Sequence, residues 1–374
     1  MGRKKIIVMY STAGMGHKKA AIAVHKVLEK ENVDIEIVDA LEYTTSMYRF
    51  FYFDAYIFLM SQGKLLWGFL YWLTNIPFIN RLTRKLRGIA DYKGLPGLGR
   101  MLAEKAPDAI VTTHFLLPSI AGILRKKNMQ ARIYTIMTDY GPHSFWLSDQ
   151  IDRFFVGSDS AKEKLSKRNI SIDKITATGI PTADEFIKET NINSLRRKYG
   201  LDFDKKTVFL MSGGFGVGPV EKILLSLDSC MADIQIIAVC GHNKKAYANI
   251  KKLSSKLKYT LIPFGFTDKV AELMAVSDIM ITKAGGISVT EALNAKLPMI
   301  LFGSIPGQEA WNEKFLIESQ AALKARKISD IPVLADKILL SEEDYKVFRE
   351  GIENIRRPHA AEDIVKVVMG ELER

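Results

Sequence analysis

Lys5-Ile-Ile-Val-Met-Tyr10, followed by Ser11-Thr-Ala-Gly14-Met-Gly16-His17 and then Lys18-Lys-Ala-Ala21-Ile-Ala-Val24, decides how the rest of the chain is read. The first segment is an apolar run short enough for a buried strand. The second turns on two glycines. The third opens a stretch in which Ala21, Val24 and Leu28 recur at helical spacing, which predicts a helix over 18–31. Strand, glycine turn and helix form the opening half of a βαβ unit, and the pattern recurs. Residues 35–39, 109–113, 133–137, 153–156 and 174–178 read as strands, with a helix over 116–126. A polar, charged stretch over 182–206 precedes a second series, with strands at 207–211, 235–239, 259–262, 278–282 and 298–302. Such alternation predicts an α/β protein with parallel sheets covered by helices on both faces. The tail, 341–374, reads as helix broken near Pro358. The expected division is a Rossmann-like domain over 1–185, a second over 186–355, and a C-terminal helix over 356–374 that packs back on the first.

With 374 residues, 47% hydrophobic and 25% charged, the chain has the composition of a folded protein of two ordinary domains. Cys230 and Cys240 match no zinc or redox spacing, and a reducing compartment is the simple reading. The basic start, Met1-Gly-Arg-Lys-Lys5, is followed by an apolar run too short for a signal peptide, so a cytoplasmic protein is expected. The net charge of +11 is unevenly spread: residues 43–100 hold eight Lys/Arg against two acids, Asp54 and Asp91. Residues 43–78 carry 13 of the 36 aromatics. Nucleic-acid binders also combine basic and aromatic residues. Here Leu, Ile, Met and Phe dominate, which favours an anionic membrane surface over nucleic acid, with Trp67, Trp72, Arg81, Arg84, Lys85 and Arg87 as the contacts. The uncharged run 65–80 has 16 residues and contains Asn75 and Pro77. A spanning helix needs about 20 apolar residues, so the expectation is a peripheral protein on the inner face of the cell membrane. The other reading of this segment is an internal core for the first domain.

Ligands of open parallel sheets bind beyond the carboxyl ends of strands, and three turns there hold chemistry. In the first, Gly14 and Gly16 let backbone approach a ligand, and His17 is a candidate proton acceptor near pH 7. His17 equally reads as a helix cap. The turn lacks the Gly-Lys-Ser/Thr ending of a Walker loop. The second is Ser212-Gly213-Gly214-Phe-Gly216, either a phosphate cradle or a tight strand-to-helix turn. The third is Lys283-Ala-Gly285-Gly286-Ile-Ser288, with Glu291 about one turn into the following helix. Its glycines and helix start suit a pyrophosphate, and Glu291 suits ribose hydroxyls or is a surface acid. Gln308, Glu309 and Asn312 suit sugar hydroxyls or form a polar loop. Asp202-Phe-Asp204 imitates a metal-binding pair but precedes a strand instead of ending one, and no clustered ligand set is visible, so no metal or other cofactor is expected.

Taken together, these motifs resemble the diacylglycerol glycosyltransferases of bacteria and the monogalactosyldiacylglycerol synthases of plastids, and more distantly the transferase that adds N-acetylglucosamine to a peptidoglycan lipid precursor. The markers are residues 14–17, Thr138-Asp-Tyr-Gly-Pro-His143 with Trp146, Ser212-Gly213-Gly214, Cys240-Gly241-His242-Asn243, Lys283-Ala-Gly285-Gly286 with Glu291, and Pro306-Gly-Gln308-Glu309. The resemblance implies the two-Rossmann-domain fold called GT-B with a cleft between domains. It also implies an inverting, metal-independent transfer of glucose or galactose from a UDP-sugar to diacylglycerol or a related lipid. By position it makes His17 the base, Glu291 the ribose acid, and Gln308 and Glu309 neighbours of the sugar. Gly16, Ser212, Gly213, Gly214, Cys240, Gly241, Asn243, Lys283, Gly285, Gly286 and Ser288 surround the nucleotide, with uracil near Phe266. His143 joins the acceptor segment. Ala13 and Met15 depart from a loop that is often richer in glycine. Two other functions stay open: a UDP-N-acetylglucosamine epimerase or transferase of the same fold, and a non-catalytic UDP-sugar sensor. The oligomeric state is not legible.

Overall fold

The computed structural model describes residues 2–12, 15–50, 63–211, 213 and 218–373. Contacts divide the chain into two units. The first comprises Met1–Ala183, Ile305–Trp311 and Arg357–Arg374. Its parallel sheet runs in the order β2-β1-β3-β4-β5-β6. The strands are β1 (Lys4–Tyr10), β2 (Val33–Asp39), β3 (Ala109–Thr112), β4 (Arg132–Ile136), β5 (Arg153–Val156) and β6 (Ile175–Ala177). The helices between and beside these strands, among the described residues, include α1 (Met15–Leu28), α2 (Lys64–Asn75), α3 (Pro77–Gly94), α4 (Pro96–Lys105), α5 (Leu116–Lys126) and α6 (Asp159–Ser166). The central strands are buried along their length because helices cover both faces, and this is why they read as continuous apolar runs. One face packs Ile7, Met9, Ile110, Ile133 and Phe154 against α4 and α5. The other packs Ile6, Val8, Val111, Tyr134 and Phe155 against α1 and the C-terminal helix, whose Ile364, Val365 and Val368 complete that core.

The second unit comprises Asp184–Ser304 and Asn312–Arg356. Its parallel sheet has the order β12-β11-β10-β7-β8-β9. These strands are β7 (Lys206–Met211), β8 (Ile234–Val239), β9 (Thr260–Phe264), β10 (Ile279–Thr282), β11 (Met299–Leu301) and β12 (Ala322–Lys324). The helices are α7 (Ile192–Lys198), α8 (Val220–Leu227), α9 (Lys244–Leu253), α10 (Val270–Ala275), α11 (Gly286–Asn294), α12 (Gln308–Glu318), α13 (Asp330–Leu340) and α14 (Glu342–Ile355). The last helix, α15 (Ala360–Leu372), returns to the first unit after a break at Arg356–His359. Both sheets reverse their strand order once, between β1 and β3 in the first and between β7 and β10 in the second. A crevice forms where the connections on either side of such a point lead to opposite faces.

Candidate active site

The first switch point holds His17. β1 and β3 are neighbours in register, so the residues after them, 96 positions apart in sequence, meet at the carboxyl edge. His17 lies in the first turn of α1, and its Nδ1 is 2.6 Å from the carbonyl oxygen of Thr113. A carbonyl only accepts, so Nδ1 carries the hydrogen and donates it, and the lone pair is left on Nε2. The Thr113 hydroxyl donates in return to the His17 carbonyl at 2.9 Å. Thr138 Oγ1, after β4, is 3.1 Å from the same ring nitrogen. His114 meets the ring edge-on with centroids 4.6 Å apart, and Trp146 lies at 6.3 Å. Desolvation in this enclosure holds the His17 pKa down at about 4, against the opposing effect of the Thr113 bond. Burial also lowers His114, and the neighbouring His17 lowers it further. Its Nδ1 accepts from the Leu116 N–H at 3.2 Å. Asp39, at the end of β2, accepts from the hydroxyl of Thr12, just after β1, and from the Leu41 N–H.

His143 lies in the loop after β4. Its Nε2 donates to the Tyr71 carbonyl of α2 at 2.9 Å, and its Nδ1 accepts from the Phe145 N–H at 3.2 Å. Both ring nitrogens are thus engaged within the protein. Burial, with nearby Arg168 and Arg87, lowers its pKa to about 4. On α2, Trp67 is half-buried and tilted against Tyr71, whereas Trp72 is 60% exposed. Leu65, Leu66 and Phe69 are exposed beside Trp72, and α3 exposes Phe78, Leu82, Leu86 and Ile89 at helical spacing. Among the basic residues of α3, Arg81 and Lys85 are exposed, and Arg84 pairs with Asp149 at 3.1 Å. Arg87 stacks over the Phe145 ring at 4.4 Å. No helix among the described residues is long and apolar enough to cross a membrane.

At the second unit's switch point the turn after β10 brings Lys283, Gly285, Gly286 and Ser288 to the carboxyl edge. Gly285 caps α11 with no side-chain hydrogen bond, and a Cβ there would meet nothing within 4 Å. A helix N-terminus at the carboxyl edge of a parallel sheet is the arrangement an anion site requires. Asn312 holds the turn by donating to the Ala284 carbonyl at 2.9 Å. Glu291, on α11, is 2% exposed. After β8, Cys240 is buried, with its thiol pKa pushed up to about 11 by burial, and Gly241 takes φ +55°. The Asn243 side chain caps α9 through the Ala246 N–H at 2.9 Å. Phe266, after β9, is 60% exposed and stacks on His242 at 4.3 Å. Gly213 takes φ +72°, while Ser212 and Gly214 lie outside the described residues, as does Gly14.

Some placements differ from a reading along the chain. Gln308 and Glu309 open α12, but their segment, Ile305–Trp311, groups with the first unit. Glu309 accepts from the Ile305 N–H at 2.6 Å. Gly16 sits in the first turn of α1. Among the described residues no group of His, Cys, Asp or Glu has the arrangement of a metal site. Nothing local in the sequence marks a role for Thr113, His114 or Asp39, because their roles depend on neighbours distant in sequence.

Residues 17–182 match the monogalactosyldiacylglycerol synthase family, and residues 207–325 match the glycosyltransferase family 28 C-terminal domain. Over these two segments the chain is similar to the monogalactosyldiacylglycerol synthases and to the family 28 glycosyltransferases. It is a glycosyltransferase with the GT-B fold. A processive diacylglycerol β-glucosyltransferase of Bacillus cereus (strain ATCC 10987 / NRS 248) is 26% identical over 373 residues, 98% of this chain and 94% of that one. One from Bacillus mycoides (strain KBAB4) matches with the same identity and coverage. Among solved structures, MurG of Acinetobacter baumannii superposes with a TM-score of 0.66 at 13% identity, covering 98% of this chain and 99% of that one. UDP-GlcNAc 2-epimerase from Neisseria meningitidis, bound to UDP-GlcNAc, gives 0.61 at 15% identity, covering 98% and 100%. These two likenesses concern the fold alone.

Proposed function

We propose that this glycosyltransferase moves a hexose from a UDP-sugar to diacylglycerol or a related lipid at an anionic membrane surface, with inversion and without a metal ion. The observation that carries the reading is the His17 tautomer. With Nδ1 committed to the Thr113 carbonyl, Nε2 is an unprotonated acceptor at the first unit's switch point. The acceptor hydroxyl attacks the anomeric carbon, its proton passes to Nε2, and the bond from that carbon to the UDP oxygen breaks. UDP takes the electron pair of that bond, and its charge is met by the open N-terminus of α11 with Lys283 beside it. Relatives named as β-glucosyltransferases favour glucose, and a β product from an α-linked UDP-sugar is what a single inverting displacement gives.

The lipid part of the reading rests on α2 and α3, which leave Leu65, Phe69, Trp72, Phe78, Leu82 and Leu86 in solvent beside Arg81 and Lys85. A soluble surface rarely leaves so much contiguous apolar area open. Amphipathic helices with basic residues at the flank suit the interface of an anionic bilayer on the cytoplasmic side. The test is His17→Ala. Turnover should fall by about a hundredfold or more, the usual scale for a lost general base, while UDP affinity stays at the parent value. Activity within about threefold of the parent would remove His17 from the role.

A further inference from the structure

We propose that Asn75 and Arg168 are positioning residues that lock α2 to the loop carrying the surroundings of His17, so that the helix meeting the acceptor and the base move as one body. The proposal rests on the reading of His17 as base. Asn75 is the last residue of α2. Its Oδ1 accepts from the Ser144 N–H at 3.0 Å and from Arg168 Nη1 at 2.7 Å. Arg168, just after α6, also donates to Ser144 Oγ at 2.9 Å, and that hydroxyl donates to the Asn75 carbonyl at 3.1 Å. One residue earlier, the His143 ring spans from the Tyr71 carbonyl to the Phe145 N–H. The C-terminal turn of α2 is therefore tied to residues 143–145 by a closed set of hydrogen bonds.

The same loop touches His17 at both of its ends, through Thr138 Oγ1 at 3.1 Å and the Trp146 ring at 6.3 Å. Residues 137–144 are buried throughout except Asp139. A loop without solvent around it transmits a displacement instead of absorbing it. Arg168 is half-buried, and its two hydrogen bonds go to neutral oxygens; among the described residues no carboxylate pairs with it. Desolvation lowers its pKa, so the guanidinium is held there against a cost. Its placement beside the last carbonyls of α2 also meets the negative end of the helix dipole. A purely apolar contact would hold α2 against the unit but would leave its direction free. Directional bonds to one amide oxygen fix that direction.

The experiment compares Asn75→Leu and Arg168→Gln with Asn75→Asp, which keeps an acceptor for both the Ser144 N–H and Arg168. Each variant is first checked for cooperative unfolding near the parent Tm. Vesicles of phosphatidylglycerol and phosphatidylcholine carrying diacylglycerol, and a short-chain diacylglycerol in solution, serve as acceptors. Asn75→Leu and Arg168→Gln should lose between about tenfold and a hundredfold in kcat on both acceptors, the scale of a small misplacement of reacting groups. Their KM for the UDP-sugar and their vesicle binding should stay near the parent values, and Asn75→Asp should restore kcat. Unchanged kcat in the two disruptive variants overturns the proposal. So does a loss of kcat matched by an equal loss of vesicle binding that vanishes on the soluble acceptor, because the clasp would then only present the apolar face. Parent protein that fails to bind vesicles refutes the membrane reading alone, and the soluble acceptor still decides the clasp. Should His17→Ala keep its activity, the reading of the base fails separately.

Discussion

Acidification is the perturbation whose outcome the His17 site specifies most sharply. An exposed imidazole titrates near pH 6.5. The enclosure by Thr113, His114, Thr138 and Trp146 brings His17 down to about 4. That difference corresponds to roughly 3 kcal/mol against the charged ring. At pH 5.5 an ordinary imidazole is about nine-tenths protonated, whereas His17 keeps its Nε2 lone pair in nearly all molecules. The kcat/KM profile for the acceptor should therefore stay level from pH 8 down to about 5 and reach half its plateau near about 4. His143 and His114 are likewise held neutral by burial. The unfolded chain takes up protons at these rings below pH 6.5 while the folded one does not. Stability is thus complete above 6.5 and declines as pH falls toward about 4. The assay is initial-rate transfer across pH 4–8 at constant ionic strength, with circular dichroism at each pH to restrict the fit to folded protein. An acid limb near pH 6.5 in protein that is still folded would refute the desolvated-base argument.

Two further perturbations address the other sites. Glu291→Ala should weaken UDP binding by about 1.5–3 kcal/mol, the range for a hydrogen bond to a charged group, as read by calorimetry; equal affinity would reject the ribose assignment. Replacing Arg81 and Lys85 together by Ser should cost about 2 kcal/mol of binding to anionic vesicles at low salt, about 1 for each residue near the surface. Arg84 should matter less because it is already paired with Asp149, and Arg87 less again because it stacks on Phe145. Co-sedimentation measures both effects, and parent protein left in the supernatant at every lipid composition would contradict the reading.

The strands were legible because burial on both faces turns each into an uninterrupted apolar run, and β5 and α5 fall on their expected residues. β12 escaped notice because Ala322-Leu-Lys324 is a three-residue edge strand with little apolar signal. α1 begins at Met15, ahead of the expected start, since a glycine turn gives no sharp capping cue. The aromatic stretch was read only as a segment. Within it Ser46–Arg49 form a single helical turn, and the described residues from 63 on fold into α2 and the start of α3, whose outer faces are apolar, so the usual polar-outside periodicity is inverted there. His17, Glu291 and the glycine turns announced themselves as motifs. Thr113 and Asp39 did not: Thr113 meets His17 and Asp39 meets Thr12 only because β1 lies between β3 and β2. The grouping of Gln308 and Glu309 with the first unit has no local signal at all, since they follow β11 directly in the chain.

Transfer of a hexose from UDP to a diacylglycerol hydroxyl is measured directly by mass spectrometry of purified protein incubated with UDP-glucose, UDP-galactose or UDP-N-acetylglucosamine, with and without diacylglycerol vesicles and with EDTA present. UDP release should depend on diacylglycerol, with a matching quantity of β-hexosyl diacylglycerol and no loss on chelation. UDP-N-acetylmannosamine formed from UDP-N-acetylglucosamine without lipid, or UDP-sugar left intact under every condition, would contradict it.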